Sequence, residues 1–160
     1  MYDFRPPADT PKTEIYRLLA EAADAVTSGE PDAVANMANV AALLWEFLPD
    51  VNWTGFYRVV GKELVLGPFA GRPACIRIPL GTGVCGTAAA SGATQLVDDV
   101  HAYPGHIACD ADTRSELVVP VRRGGAVIAV IDLDSPLLNR FDPDDQQGLE
   151  ALAALLADRI

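Results

Sequence analysis

From Val51 onward the chain carries short strand-like runs that follow one another too closely for long connections. Aromatic and β-branched residues fill each run, and glycine or proline punctuates the gaps, as in strands joined by tight turns. Parallel neighbours need crossover connections of about a dozen or more residues, so this spacing predicts an antiparallel sheet of about six strands. The runs are "VNWTGFYRVV", "ELVLGPF", "ACIRIPL", "TQLV", "SELVVPVRR" and "AVIAVIDLD".

Helical patterns precede and follow the strands. A first amphipathic helix is predicted after a cap at Thr10 and ends at Gly29, and a second begins near Asp32 and stops before Pro49. A last helix begins at the cap Asp142, and "GVCGTAAASG" forms a short helix between strands. The fold class is therefore α+β, a sheet flanked by N-terminal and C-terminal helices. We expect one domain over 1–160, with helices at 1–50, the sheet and any active site at 51–141, and the closing helix at 142–160.

The charge of the chain argues against one class of partner. Asp and Glu number 22 against 12 Lys and Arg, for a net charge of −10, whereas nucleic-acid binding needs clustered bases. The amino terminus has no basic start before an apolar run, and no stretch approaches the ~20 apolar residues that span a bilayer. We therefore expect a cytoplasmic protein that binds neither nucleic acid nor membrane. In a reducing compartment, three cysteines favour reactive thiols or metal ligands over stable disulfides.

The three cysteines differ in their surroundings. Cys109 lies in a polar, irregular segment, and Cys85 lies at the start of the short helix, where free N–H groups and the helix dipole lower a thiol pKa. Both positions suit a reactive sulfur, whereas Cys75 at a strand start is ambiguous, and a buried inert thiol is the alternative for each. His101 and His106 could join Cys109 and Cys85 around a metal. Their spacing lacks the paired ligands of structural zinc sites, so we expect no metal.

Two carboxylates end the strand "AVIAVIDLD". Asp132 and Asp134 lie two residues apart and therefore share a face with Ile128 and Val130. Acids in line with core residues are costly unless they are paired or bind a cation, although solvation at a strand end is the alternative. The preceding strand decides whether Glu116 joins them.

The hairpin loop sets that register. A two-residue turn at Gly124 and Gly125 pairs Glu116 with Leu133 and turns it to the other face, whereas a three-residue loop from Arg123 pairs it with Asp132. We expect the three-residue loop. Three acids would then share a pocket, and their repulsion would raise the pKa of at least one and supply a proton donor near neutral pH.

Two aromatic residues on the first strand face the same side. Trp53 and Tyr57 are four residues apart, with Gly55 between them leaving a gap between the rings. An ordinary aromatic core pair is one interpretation. Rings beside acids would also hold a soft, partly positive group such as a sulfur with its methyl.

Three stretches together resemble the free methionine-(R)-sulfoxide reductases, which are small enzymes with a GAF-domain fold. They are "GPFAGRPACIRIPLGTGVCGTA", "PGHIACDADTRSELVVPV" and "VIDLDSP". The resemblance covers roughly residues 52–141. It implies reduction of free L-methionine (R)-S-oxide to L-methionine by cysteine thiols, with no bound cofactor and with thioredoxin as the external reductant.

The resemblance also implies a role for each candidate residue. Cys109 matches the nucleophile, Cys85 the cysteine that resolves it by forming a disulfide, and Cys75 the cysteine that receives the disulfide during recycling. Glu116 is our candidate proton donor. The substrate-binding residues that match are Trp53, Tyr57, Glu116, Asp132 and Asp134, and backbone N–H groups near Gly83 and Val84 could receive the substrate carboxylate.

Other functions compete with the enzyme. GAF domains also act as sensors of small molecules, and a redox switch could use Cys85 and Cys109 only for a regulatory disulfide. A bound bilin would make the purified protein absorb visible light, and neither rival would turn over a sulfoxide. The amphipathic leading helices could cover the sheet or a second copy of the chain, so a homodimer is also expected.

Overall fold

The computed structural model describes residues 5–107 and 110–160. Four helices and six strands follow one another in the order predicted, with two helices first and one last. None of the helices in the described ranges is both long and apolar enough to cross a membrane. The elements are α1 Lys12–Thr27, α2 Ala33–Phe47, β1 Trp53–Val60, β2 Glu63–Gly71, β3 Arg77–Pro79, α3 Gly83–Ser91, β4 Gln95–Val97, a 3₁₀ turn at Val100–Ala102, β5 Ser115–Arg123, β6 Ala126–Ser135 and α4 Pro143–Leu156.

The six strands form one sheet in the order β3-β2-β1-β6-β5-β4. Each pairing of neighbours is antiparallel, which confirms the prediction from strand spacing. The first and last strands of the chain pair in the middle, and the three-residue strands β3 and β4 form the two edges. The central strands β1, β6 and β5 therefore carry most of the buried side chains of the sheet.

Alternation along these strands separates two cores. Phe56, Leu117 and Ile131 point to the face that α1, α2 and α4 cover, and this core is almost wholly aliphatic and aromatic. Tyr57 and Val130 point to the opposite face, where the short helix α3 packs. The second core is smaller and is interrupted by polar groups, so this face is the one that can hold a site.

The helix ends follow the sequence signals with one exception. Asp32 caps α2 by accepting a hydrogen bond from the backbone N–H of Ala35, and Asp142 and Asp145 form a capping box at α4. The predicted cap at Thr10 is wrong, because its hydroxyl donates to the Pro7 carbonyl, and Pro11 precedes α1 with no side-chain cap.

A buried ionic group ties the first helix to the last. Asp145 is fully buried, and it accepts hydrogen bonds from the Tyr16 hydroxyl at 3.0 Å and from Lys12 Nζ at 2.7 Å. Arg140 Nη1 contacts both carboxylate oxygens at 3.3 Å. Two cations and a hydroxyl thus compensate one buried carboxylate, which fixes the N-terminal ends of α1 and α4 against each other.

The hairpin between β5 and β6 differs from the expected register. Its loop is the two-residue turn Gly124–Gly125, with φ of +58° and +83°, and Arg123 pairs with Ala126. The register then shifts between Val121 and Arg122, where β6 carries one extra residue. The expectation of a three-residue loop was therefore wrong.

The shift in register decides which face each residue of β6 occupies. Glu116 pairs with Asp134, neither with Asp132 nor with Leu133, and it faces the same side as both acids. Ile128 is the extra residue and packs against the helix-covered core, so it does not share a face with Val130 as expected. A bulge rather than a longer loop brings the acids together.

Candidate active site

A pocket opens on the face of the sheet covered by α3. Its open volume, including the mouth, is about 560 Å³. Four elements supply its wall: strands β1, β5 and β6 and the start of helix α3. The predicted residues that line it are Trp53, Tyr57, Gly83, Val84, Cys85, Glu116, Asp132 and Asp134, whereas Cys75 does not line it and Cys109 lies outside the described residues.

The carboxylates of Glu116 and Asp132 are buried in the pocket, and no lysine or arginine of the described residues forms an ion pair with either. Cys85 Sγ lies 3.9 Å from Glu116 Oε1, and ligand atoms of Cys85, Glu116 and Asp132 lie within 4.8 Å of one another. One oxygen of Asp132, Oδ1, is buried and has no hydrogen-bond partner within residues 5–107 and 110–160. A buried acceptor of this kind is costly to leave unpaired, so the group is suited to a cationic ligand, either a metal ion or an ammonium.

Burial raises the pKa of all three acids. It raises the pKa of Asp132 to about 7, and hydrogen bonds from Cys85 and Glu116 limit that rise. The pKa values of Glu116 and Asp134 are also raised, first by burial and then by the charge of Asp132. The direction agrees with the expected proton donor, although burial rather than mutual repulsion is the larger cause.

Cys85 is a buried thiol. It is the third residue of α3, but burial raises its pKa well above the ordinary value, and the charges of Asp132 and Glu116 raise it further. The expectation that the helix start lowers this pKa was wrong, because desolvation and two facing carboxylates outweigh the helix dipole. The raised pKa favours the neutral thiol of Cys85 over the thiolate, which is the nucleophilic form.

Cys75 is in a different chemical state. It is disulfide-bonded, whereas Cys85 is a free thiol. Cys75 is half-buried just before β3, and its carbonyl accepts a hydrogen bond from the Tyr57 hydroxyl at 3.0 Å. Tyr57, a wall residue of the pocket, therefore also holds the backbone of the disulfide-bonded cysteine.

The aromatic wall is a stack of three rings. Trp53 lies parallel to Tyr57 with ring centroids 5.9 Å apart, and to Phe69 on β2 at 5.2 Å. The expected gap at Gly55 is absent, because a Cβ there would lie 2.5 Å from Phe69 Cβ and 2.7 Å from Trp53 Cη2. Phe69 was missed, since its pairing with Gly55 depends on how β2 folds back on β1.

His106 also belongs to the pocket. Its Nε2 lies 3.9 Å from Glu116 Oε2, and burial followed by the charge of His101 lowers its pKa. His101 is exposed, whereas His106 is half-buried and lines the pocket, which the sequence did not indicate. With a lowered pKa on His106 and a raised one on Glu116, the two groups meet near neutral pH as uncharged partners.

An ionic contact closes one side of the pocket mouth. Arg72 Nη1 lies 2.9 Å from Asp112 and 3.4 Å from Asp110, and the Arg72 carbonyl accepts from Trp53 Nε1 at 3.1 Å. Asn52 donates to Asp110 at 3.4 Å. These residues were also missed, and the available signal was that Asp110 directly follows Cys109 in sequence.

Comparison with known proteins identifies the family. Residues 37–160 match the GAF domain family. The free methionine-R-sulfoxide reductase of Escherichia coli is 49% identical over 145 residues, which cover 91% of this chain and 88% of that protein. The chain belongs to the free methionine-R-sulfoxide reductase family. This confirms the resemblance drawn from the three sequence stretches.

Other members of the free methionine-R-sulfoxide reductase family agree in sequence and in structure. The enzyme of that name from Saccharomyces cerevisiae is 43% identical over 91% of this chain and 85% of its own. The X-ray structure of the Neisseria meningitidis free methionine-R-sulfoxide reductase in complex with its substrate is 46% identical. It superposes with a TM-score of 0.91 over 95% of this chain and 92% of that one.

Proposed function

We propose that this chain reduces free L-methionine (R)-S-oxide to L-methionine, with a disulfide formed among its cysteines. The observation that carries the proposal is the buried Oδ1 of Asp132, which has no hydrogen-bond partner among the described residues and shares the pocket with Glu116 and Asp134. Membership of a family whose relatives carry this activity in their names supports it. The pocket supplies what a small amino acid with an ammonium group needs.

The acids account for a preference for the free amino acid. Free methionine sulfoxide carries an ammonium, which would compensate Asp132 and its neighbours, whereas a residue inside a peptide has no such charge. The stacked rings of Trp53 and Tyr57 would pack against the methyl and sulfur. Backbone N–H groups of Gly83 and Val84, which line the pocket, would receive the carboxylate.

The proposed reaction uses the residues to which the resemblance gives roles. The thiolate of Cys109, the predicted nucleophile, attacks the sulfoxide sulfur while Glu116, the predicted donor, protonates the sulfoxide oxygen. The sulfur–oxygen bond breaks, the hydroxyl passes to Cys109 as a sulfenic acid, and methionine leaves reduced. The raised pKa of Glu116 supports this role, because it keeps the carboxyl protonated near neutral pH.

A second thiol then condenses with the sulfenic acid and releases water. Cys85 was predicted to form this disulfide first, with Cys75 receiving it later. The raised pKa of Cys85 and the disulfide at Cys75 favour a second route, in which Cys75 condenses directly with Cys109. In that route Cys85 is a neutral lining group beside Glu116 and Asp132. Rates of disulfide formation in Cys75→Ser and Cys85→Ser distinguish the two orders.

The remaining parts of the proposal are the reductant and the setting. A thioredoxin-type dithiol returns the disulfide to thiols, so the chain needs no bound cofactor for this chemistry. Cytoplasmic location and a homodimer stay predictions.

The test is a coupled assay with purified protein, thioredoxin, thioredoxin reductase and NADPH. We expect NADPH consumption with free L-methionine (R)-S-oxide and little with the (S) epimer or with N-acetyl-methionine (R)-S-oxide, which lacks the ammonium. Cys109→Ser should abolish turnover. The absence of turnover with the free (R) epimer, or equal rates with the N-acetylated compound, would contradict the proposal.

A further inference from the structure

We infer that residues 72–77, here called the Cys75 segment, form the surface on which a protein dithiol docks to reduce the disulfide of Cys75. This inference rests on the proposed function and adds the place where its reductant binds. Three observations support it: the disulfide at Cys75, an exposed apolar side chain beside it, and an exposed arginine at each end of the segment.

The apolar side chain is Ile76. It is 70% exposed, the highest value among the exposed large apolar residues of the described ranges, and it directly follows the disulfide-bonded Cys75. Pro73, two residues before Cys75, is exposed as well. Burying apolar surface that was exposed to water is favourable by about 25 cal/mol per Å² of accessible area. The exposed side chain of Ile76 is therefore suited to a protein–protein contact.

The position in the sheet leaves this segment accessible. It leads into β3, which is an edge strand of only three residues, and β2 is its single neighbour in the sheet. Hydrogen bonds from Leu66 N–H to the Ile76 carbonyl and from the Tyr57 hydroxyl to the Cys75 carbonyl hold its backbone from the inner side. The outer side is left for a partner, as in other edge-strand recognition.

The charge of the region is opposite to that of the chain. Residues 53–82 contain four basic residues and one acid, although the whole chain has a net charge of −10. Arg72 and Arg77 are the first and last residues of the Cys75 segment, and both are exposed. Arg72 pairs with Asp112, and Arg77 pairs with Glu63, each at 2.9 Å. Exposed pairs of this kind exchange at little cost, so both arginines can turn to acidic groups on a partner. The reductant expected is a dithiol protein with an apolar contact face and an acidic rim.

The exchange balances without any further reagent. A thiolate of the dithiol bonds to the Cys75 sulfur, the Cys75 disulfide breaks, and its other sulfur leaves as a thiolate that takes up a proton. The second thiolate of the dithiol then attacks the first reductant sulfur, and Cys75 leaves and is protonated. The dithiol loses two electrons and two protons, and the protein disulfide gains both.

The experiment compares two reductants on full-length variants. Ile76→Asp should raise the KM for thioredoxin about tenfold, and Arg77→Ala about threefold, with the substrate held saturating. Turnover driven by dithiothreitol should stay within twofold of the unchanged protein, because a small dithiol needs no docking surface. Val34→Asp, at another exposed apolar residue on α2, is the matched control and should leave both rates unchanged.

The outcomes separate this inference from the proposed function. An unchanged KM for thioredoxin in Ile76→Asp overturns the inference, as does a change in oligomeric state without any change in that KM, which would assign Ile76 to a contact between copies. Failure of the unchanged protein to turn over the free sulfoxide with dithiothreitol overturns the proposed function itself, and the inference with it. A raised KM for thioredoxin with normal dithiothreitol turnover supports both.

Discussion

Two groups of buried carboxylates lie on opposite sides of the sheet and are treated differently. On the helix-covered side, Asp145 is bound by Lys12, Arg140 and Tyr16, so its charge is compensated. On the other side, Asp132 shares a pocket with two more acids, and one of its oxygens has no partner among the described residues. Only the second group is suited to binding a cation from outside.

The partners of a buried carboxylate distinguish a structural acid from a ligand-binding one. A buried carboxylate that already has its cations stabilises one arrangement of the chain, and removing it leaves those cations uncompensated. A buried carboxylate without them is unfavourable in the free protein and becomes favourable when a ligand arrives. Burial alone does not distinguish the two, whereas the inventory of partners does.

The largest expected effect is the loss of stability when the compensated carboxylate, Asp145, loses its charge. Asp145→Asn should lower the free energy of unfolding by about 3–5 kcal/mol, because it leaves the buried guanidinium of Arg140 uncompensated and leaves Lys12 with Asp142 alone. Urea unfolding measures it. Activity at low temperature should persist, and Asp144→Asn, at an exposed acid one residue earlier, is the control. A loss no larger than that of the control would remove Asp145 as a structural tie.

The next largest effect is a weaker binding of substrate when the uncompensated carboxylate, Asp132, loses its charge. Asp132→Asn should raise the KM for free methionine (R)-S-oxide about 100-fold, equivalent to about 2.7 kcal/mol, because the substrate ammonium loses a carboxylate. Its thermal midpoint should not fall, since an unfavourable buried acid is removed. Steady-state kinetics and melting curves test both, with the exposed Asp158→Asn as control. Unchanged kinetics would remove Asp132 from the site.

The two groups of carboxylates should also differ in how they affect the pH dependence of stability. The pKa of Asp132 is about 7 in the folded chain, above the ordinary value near 3.8, so the folded state holds more protons between these values. Stability should therefore fall by about 2 kcal/mol as pH rises from 5 to 7.5. Asp142, whose pKa beside Lys12 is lowered to about 2, contributes nothing in this window. Unfolding at several pH values should show a smaller slope in Asp132→Asn, and an equal slope would contradict the assignment.

The smallest effect concerns one cation of the compensated group. Lys12→Met should lower the free energy of unfolding by about 1 kcal/mol, because Lys12 is partly exposed and Arg140 still contacts Asp145. Combining it with Asp145→Asn should cost less than the sum, as expected for residues in one network. Full additivity, measured by urea unfolding, would show that the contact carries no coupling.

Much of this arrangement could be predicted because its signals are local. Period-two alternation along β1 and β6 places Trp53 with Tyr57 and Asp132 with Asp134, and strand spacing alone requires antiparallel pairing. Turn and cap residues then fix where the strands and most helices end. The grouping of the three acids was therefore expected from residues that are close in sequence or joined by one hairpin.

What could not be predicted depends on packing between distant elements. The bulge at Ile128 shifts the ladder by a residue, and nothing in the strand composition marks it. The raised pKa of Cys85 comes from strands that fold over a helix start, which a local argument about the helix dipole cannot include. His106 enters the pocket, and Phe69 stacks on the pocket residue Trp53, only through tertiary contacts. Cys109, the proposed nucleophile, lies outside the described residues.

The bulge has a practical consequence for engineering. It lies between the hairpin tip at Gly124–Gly125 and the acids of β5 and β6. The pairing of Glu116 with Asp134 belongs to the part of the ladder on the other side of the bulge from the tip. A Cβ added at either glycine would meet nothing within 4 Å, although each has a positive φ. The hairpin tip is thus a place to attach a dye or an affinity tag at a distance from the pocket.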